Sequence, residues 1–225
     1  MSRPTLTQQD LADHQSYLST IDVIWNPLYD FATYLSAGQL STSFFSTPIG
    51  QGTTTAPGAS GGKTEADTNM NSAGQLGKGN QFYTTGVEML LFPSNVPGNG
   101  GIDITTVGTF TNTVYNIGKS GVVTFKVGSD RIYLQQGPLM LFPPSTRLAG
   151  WAAIASEGDT SVATSVGEIN YAQWSGEVFT IVPVLLDANQ VFTFDVKWPA
   201  VVAAAGPSAH RLGARLRGYQ IRNAQ

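Results

Sequence analysis

The stretch Phe192-Thr193-Phe194-Asp195-Val196-Lys197-Trp198 alternates large apolar and polar residues without a break. Successive side chains leave a strand on opposite sides, so this period of two marks a strand with one buried face, carrying Phe192, Phe194, Val196 and Trp198. The same period recurs at Val123, Phe125 and Val127, set against Thr124 and Lys126. After Gly128-Ser129-Asp130 it returns at Ile132 and Leu134, which reads as a hairpin with a Gly-bearing turn. Gln81 to Phe92 holds two apolar bursts, and Leu139 to Phe142 is a short apolar run stopped by Pro143-Pro144. Val178 to Leu186 is another run, where Pro183 points to a bulge or an edge position. Asp187-Ala188-Asn189 turns it, and Arg215 to Arg222 reads as extended. Roughly eight strands with frequent turn signals and no helices between them predict an all-β, antiparallel sandwich or barrel.

The first forty residues read differently. Leu11, Leu18, Ile21, Trp25, Leu28 and Leu35 are spaced by three, four and seven, which is one face of a helix. Thr7 and Asn26 are suitable caps, Pro27 fits a first helical turn, and Gly38 is a natural stop. The expectation is two helices over 7–25 and 27–37, or a single kinked helix, whose apolar stripe packs on a partner or on the body. Ser46 to Asn80 is rich in Gly, Ser, Thr and Asn and lacks any helical period. It reads as a long loop with short extended pieces. The predicted division is a helical N-terminal arm over 1–38, a loop or extended segment over 39–80, and the β body over 81–225.

Composition narrows the function. The 225 residues suffice for a real core, and the absence of cysteine excludes disulfide scaffolds, thiol chemistry and cysteine-based zinc sites. No window approaches the roughly 18 apolar residues of a membrane-spanning helix. The N-terminal stretch lacks the apolar core of a signal peptide, so export by that route is not expected. Net charge is −3, which argues against coating nucleic acid by bulk charge. Charged residues make up only 12% of the chain, against about 25% in an ordinary domain. Interfaces are depleted in charge at their centres, so self-association is one explanation; a Ser/Thr/Asn/Gln-rich exterior is the other.

Motifs that carry chemistry are weak. Pro57 to Thr64 approximates a phosphate-binding loop, but Pro57 stands where glycine is required and neither an apolar strand nor an amphipathic helix flanks it. Ser60 sits in a pattern like a nucleophile elbow, yet only His14 and His210 exist as bases and nothing places either beside it. Glu65, Asp67, Asn69 and Asn71 alternate oxygen donors, but Met70 and Leu76 stand where a calcium loop needs Gly and Glu. Glu157, Asp159 and Glu168 are acids in a Ser/Gly/Thr context, where solvation is their usual role. The reading is therefore no enzyme, no catalytic residue, no cofactor and no metal site.

The one charge cluster is C-terminal. Arg211, Arg215, Arg217 and Arg222 are four of the seven arginines, with Arg215 and Arg217 on the same strand face as Tyr219 and Ile221. Such a row can meet acidic side chains, phosphate or lipid headgroups, or can simply protect an edge strand. A subunit contact is the favoured use.

An amphipathic N-terminal arm, then an all-β body ending in GEVFTIVPVLLDANQVFTFDVKWPAV, a connector and HRLGARLRGYQIR, resembles the single jelly-roll capsid proteins of small tailless icosahedral bacteriophages. The resemblance implies an eight-stranded jelly-roll sandwich of two four-stranded sheets, a structural role in the virion and synthesis in the host cytoplasm. Its partners would be copies of itself and other virion proteins, with the arginines offered to genome or internal membrane. The expected assembly interface comprises Leu11, Leu18, Ile21, Trp25, Leu28, Arg211, Arg215, Arg217 and Arg222. Removing residues 1–38 should then impair assembly more than folding, and Glu at 215 and 217 should block oligomers but spare the monomer. The alternative is a carbohydrate-binding β-sandwich of a phage fibre or surface protein, with Trp151 and Trp174 as stacking platforms; Trp198, in phase with Phe192 and Phe194, is predicted to be core.

Overall fold

The computed structural model describes residues 21–56, 59–92, 115–128, 132–143, 146–155, 164–174, 179–204 and 209–223. Eleven strands are found there: β1 (Ile21–Trp25), β2 (Leu28–Tyr34), β3 (Ser41–Phe44), β4 (Asn80–Phe92), β5 (Val122–Val127), β6 (Ile132–Pro138), β7 (Thr146–Ala155), β8 (Thr164–Trp174), β9 (Phe179–Leu186), β10 (Phe192–Lys197) and β11 (His210–Asn223). One sheet runs β1-β11-β4-β9, with β2 also paired to β11; a second runs β3-β10-β5-β6; β7 and β8 form a separate hairpin. All the strand pairings are antiparallel. The all-β antiparallel expectation holds. Residues 115–120 are helical and Leu139–Leu141 form a 3-10 turn, so the strands are not joined by turns alone.

The two main sheets share one core. Phe192, Phe194, Val196 and Trp198 are all buried, as their alternation predicts. Phe194 meets Phe44, Phe45 and Phe125 at ring separations of 5.9, 6.1 and 5.8 Å. From the first sheet, Leu212, Ala214 and Leu216 of β11 turn into the same core, beside their cross-strand partners Met89 and Val87. Trp198 donates its indole N–H to the Ile117 carbonyl at 3.0 Å and packs edge-on against Tyr34. The hairpin after Gly128 forms as expected, as does the edge position of Pro183, since β9 borders the first sheet.

The helical reading of residues 21–37 is overturned. Residues 21–25 and 28–34 are strand, and they line one long neighbour: the C-terminal half of β11 pairs with β1 and its N-terminal half with β2. The Asn26-Pro27 pair is the break between them rather than a helix start. Pro27 has no N–H to give a ladder, and the Asn26 side chain bridges the gap by donating to Gln220 at 2.9 Å. Helical spacing misled because Val23 and Tyr34 fall on what would be the polar face, and the segment's β-branched and aromatic content suits a pleated surface. The period of two was masked by Asp30, a carboxylate in an inward position between Leu28 and Tyr34. Leu11 and Leu18 lie outside the described residues.

The Gly-rich loop is ordered by what it covers. Among its described residues before β4 it carries no strand of its own, only bridges from Thr68 to Asp30 and from Leu76 to Ala188. Gly50 donates its N–H to the Lys63 carbonyl at 2.8 Å, and Phe31 donates its N–H to the Asp67 carbonyl at 2.8 Å, which fastens the loop along β2.

Candidate assembly face

The outward positions of the first sheet bring Arg211, Arg215 and Arg217 together with aromatic side chains from β1, β2, β4 and β11, while Arg222 falls on the alternate side of β11. Cross-strand register places Tyr29 opposite Arg215, Phe31 opposite Gly213 and Thr33 opposite Arg211. On the other side of β11, Glu88 stands opposite Arg215, Leu90 opposite Gly213 and Phe92 opposite Arg211. Trp25 pairs with Tyr219, their rings edge-on at 5.6 Å. Alternation along β11 keeps Arg217 and Tyr219 on this outer side, and an extra residue in β4, Thr85, shifts the phase of β4 so that first Gly86 and then Tyr83 stand opposite them.

Each guanidinium has a built environment. Arg211 lies 3.7 Å from the centre of the Phe31 ring, donates Nε to the Thr55 hydroxyl at 2.9 Å and also reaches the Ala66 carbonyl and Asp67. Arg215 and Arg217 flank the carboxylate of Glu88, which is fully buried: Arg215 donates Nε at 2.9 Å to one oxygen, and Arg217 Nε is 3.2 Å from the other. Arg217 also lies 5.1 Å from the Trp25 ring. Arg222 meets Asp22 across the β1–β11 ladder at 3.4 Å and stays exposed. Guanidinium planes on ring faces, with carboxylates neutralising their charge, make a rigid and nearly neutral surface.

Of the sequence-predicted interface residues, Trp25 is 52% exposed and Ile21 half-buried, whereas Leu28 turns inward and belongs to the core. Sequence reasoning missed Phe92, 41% exposed beside Phe31, and the buried acids that organise the arginines. The only signal was a lone charge within an apolar run: Glu88 in Val87-Glu88-Met89-Leu90, and Asp30 between Tyr29 and Phe31.

Two residues of the loop motifs, Lys63 and Asp67, are tied into the fold. Lys63 is buried against Asp30 at 2.6 Å. Asp67, of the supposed calcium donors, is also fully buried and accepts from the hydroxyls of Thr54 and Thr55 at 2.6 Å each and from the Thr64 N–H at 2.9 Å. Burial alone would raise Asp67; these donors override it and hold the carboxyl well below the usual carboxylate range. Asn69 splits its amide between the Pro27 carbonyl and the Tyr29 N–H. Glu65 and Asn71 are exposed. Ser60 is exposed in the loop, His210 is buried in β11, and Pro57, Glu157 and Asp159 lie outside the described residues.

Comparisons of the chain with protein families, with curated proteins and with solved structures give no match.

Proposed function

We propose that this chain is a jelly-roll capsid subunit that assembles with copies of itself into a virion shell. The observation that carries the reading is the order of strand pairing. Taken as one strand broken at Pro27, β1 and β2 are the first of eight, once the β7–β8 hairpin is set aside as an insertion. The first then pairs with the last, the second (β3) with the seventh (β10), the third (β4) with the sixth (β9), and the fourth (β5) with the fifth (β6). A ribbon of four such pairs, rolled so that β11 also meets β4 and β10 also meets β5, gives two four-stranded sheets in the jelly-roll manner. Shell proteins and lectins both use this roll, so the surface has to support the choice between them.

Two surfaces favour assembly. The arginine–aromatic face has the composition of interface hot spots, where Trp, Tyr and Arg dominate and charge is compensated. At the β9 edge, Val182 is 84% exposed, next to Pro183 and the exposed Leu185. An exposed apolar edge is a liability in a monomer and is relieved by a neighbour. Arg211, Arg215 and Arg217 serve chiefly to stiffen the face, because each already leans on a carboxylate.

The test is the native mass of the purified full chain, with negative-stain microscopy of the same sample. Closed particles or regular rings of many copies are expected. A monomer under every assembly condition tried, with glycan binding in its place, would overturn the reading.

A further inference from the structure

The contact between Lys63 and Asp30 has the elements of a covalent site. The Lys63 ammonium nitrogen lies 2.6 Å from Asp30 Oδ1, and both side chains are almost completely removed from water. The other carboxylate oxygen, Oδ2, accepts the Phe45 backbone N–H at 2.7 Å. Phe45 itself holds a left-handed backbone, φ 60°, which a bulky non-glycine residue rarely adopts. Such strain is tolerated where the surroundings over-determine it, and here it aims the N–H at the carboxylate. One carboxyl group is thus held between a nucleophile on one oxygen and a fixed hydrogen-bond donor on the other.

We propose that Lys63 and Asp30 join through an amide bond formed within the folded chain, tying the Gly-rich loop covalently to β2. The chemistry needs no added reactant. A proton passing from the ammonium to Oδ1 along their hydrogen bond turns the ion pair into a neutral amine and a carboxylic acid. The amine nitrogen attacks Cγ, and the negative charge gathers on Oδ2, where the Phe45 N–H receives it as an oxyanion donor. A second proton moves from nitrogen to Oδ1, the Cγ–Oδ1 bond breaks, and Oδ1 leaves as water. One C–N bond replaces one C–O bond, with no oxidation or reduction.

Two features favour this direction. The reacting groups are already in contact, so the encounter entropy of a bimolecular condensation is not paid again. The site is dry, so the departing water is not readily replaced for hydrolysis. Burial acts in the same sense, pushing Asp30 above its ordinary pKa despite the adjacent Lys63 and so favouring the neutral acid. The bond would close a ring from residue 30 to residue 63 that stays closed in the denatured chain and lowers its conformational entropy. It is independent of any role in a shell.

The experiment is mass spectrometry of the purified full chain under denaturing conditions, followed by mapping with trypsin together with chymotrypsin, which cuts between the two residues at Phe31, Tyr34, Phe44 and Phe45. The expected result is a chain lighter than its sequence by one water molecule. A branched peptide should join the segments containing Asp30 and Lys63, with no cleavage after Lys63. Lys63→Arg should restore the mass its sequence requires. If that variant does not fold, the branched peptide in the unsubstituted chain is decisive alone. Separate linear peptides for the two segments, with cleavage after Lys63, would overturn the proposal and leave an ion pair.

Discussion

Phe31 and Gly213 face each other across the β2–β11 ladder, and the Phe31 ring occupies the volume that a side chain at 213 would need. A Cβ on residue 213 would overlap that ring rather than touch it. The ring cannot simply swing away, because Arg211 rests on its face and Phe92 and Tyr29 stand beside it at 6.0 and 6.3 Å. Gly213→Ala is therefore expected to destabilise the fold by about 1–3 kcal/mol, the usual cost of overpacking, with a lower urea midpoint and unchanged m-value. The Arg211 stack should be lost together with it.

How much of this was legible in the sequence depended on whether a strand's inner face was uniformly apolar. Phe192 to Trp198 and Val123 to Val127 declared themselves because every inward position is apolar or nearly so. β2 did not, because Asp30 occupies an inward position and is satisfied by Lys63, a residue 33 positions away in a loop with no periodicity. A local pattern cannot carry a long-range ion pair. The arginine cluster was visible as a row, but its carboxylate partners were not: Glu88 is 127 residues from Arg215 in sequence and comes opposite it only through the β4–β11 register. The charge deficit also reads differently. Asp30, Lys63, Asp67 and Glu88 are inside the fold, so the exterior is poorer in charge than composition alone implies.

Glu88 fixes what can be asked of the arginines. It is fully buried with Arg215 and Arg217 on its two oxygens, so removing it strands two half-buried cations. Glu88→Ala should cost about 3 kcal/mol, the lower end for breaking a buried pair, because water still reaches the guanidinium edges. By the same reasoning, Arg215→Glu with Arg217→Glu would set three carboxylates together and unfold the monomer. Loss of soluble, folded chain by circular dichroism is the expected outcome, in place of the soluble monomer that an exposed cluster would leave.

A cleaner probe of assembly lies at the rim. Trp25 and Phe92 are exposed large aromatics on the outer side of the first sheet, outside the shared core. Trp25→Ser combined with Phe92→Ser should leave the thermal midpoint within a few degrees and reduce oligomer formation at least tenfold by analytical ultracentrifugation. An unchanged association would place the subunit contact elsewhere, with the β9 edge around Val182 next in line.

The two buried aspartates give opposite pH responses. Asp67 is held below its ordinary pKa by its hydroxyl and N–H donors after burial has opposed them, so the folded chain binds fewer protons there than the unfolded one. Its stabilisation is complete above about pH 4, the ordinary aspartate value, and is lost as pH falls below it. While its carboxyl is free, Asp30 is raised by burial, so its ionisation opposes folding as pH rises past that same ordinary value; once joined to Lys63 it no longer titrates. Asp67→Asn should therefore flatten the acid-side decline of stability, read as urea midpoints between about pH 5 and pH 2. An acid decline as steep as in the unsubstituted chain would assign the loss to other carboxylates.

Deleting residues 1–38 tests where the body begins. β1 and β2 cover one whole side of β11, with continuous antiparallel register from Asn223 to Tyr219 and from Leu216 to His210. Without them β11 becomes an edge strand fourteen residues long, and the core loses Leu28 and Tyr34. Asp30 goes as well, which leaves Lys63 buried without its carboxylate and Phe45 without the acceptor for its N–H. Each loss is of the kind that costs several kcal/mol, against a total stability of about 5–15 kcal/mol for a domain. The truncated chain is expected to be insoluble or to lack a cooperative unfolding transition by calorimetry. A soluble, cooperatively folding 39–225 fragment would show instead that residues 21–34 are a detachable arm, and that the first sheet is complete without its broken edge strand.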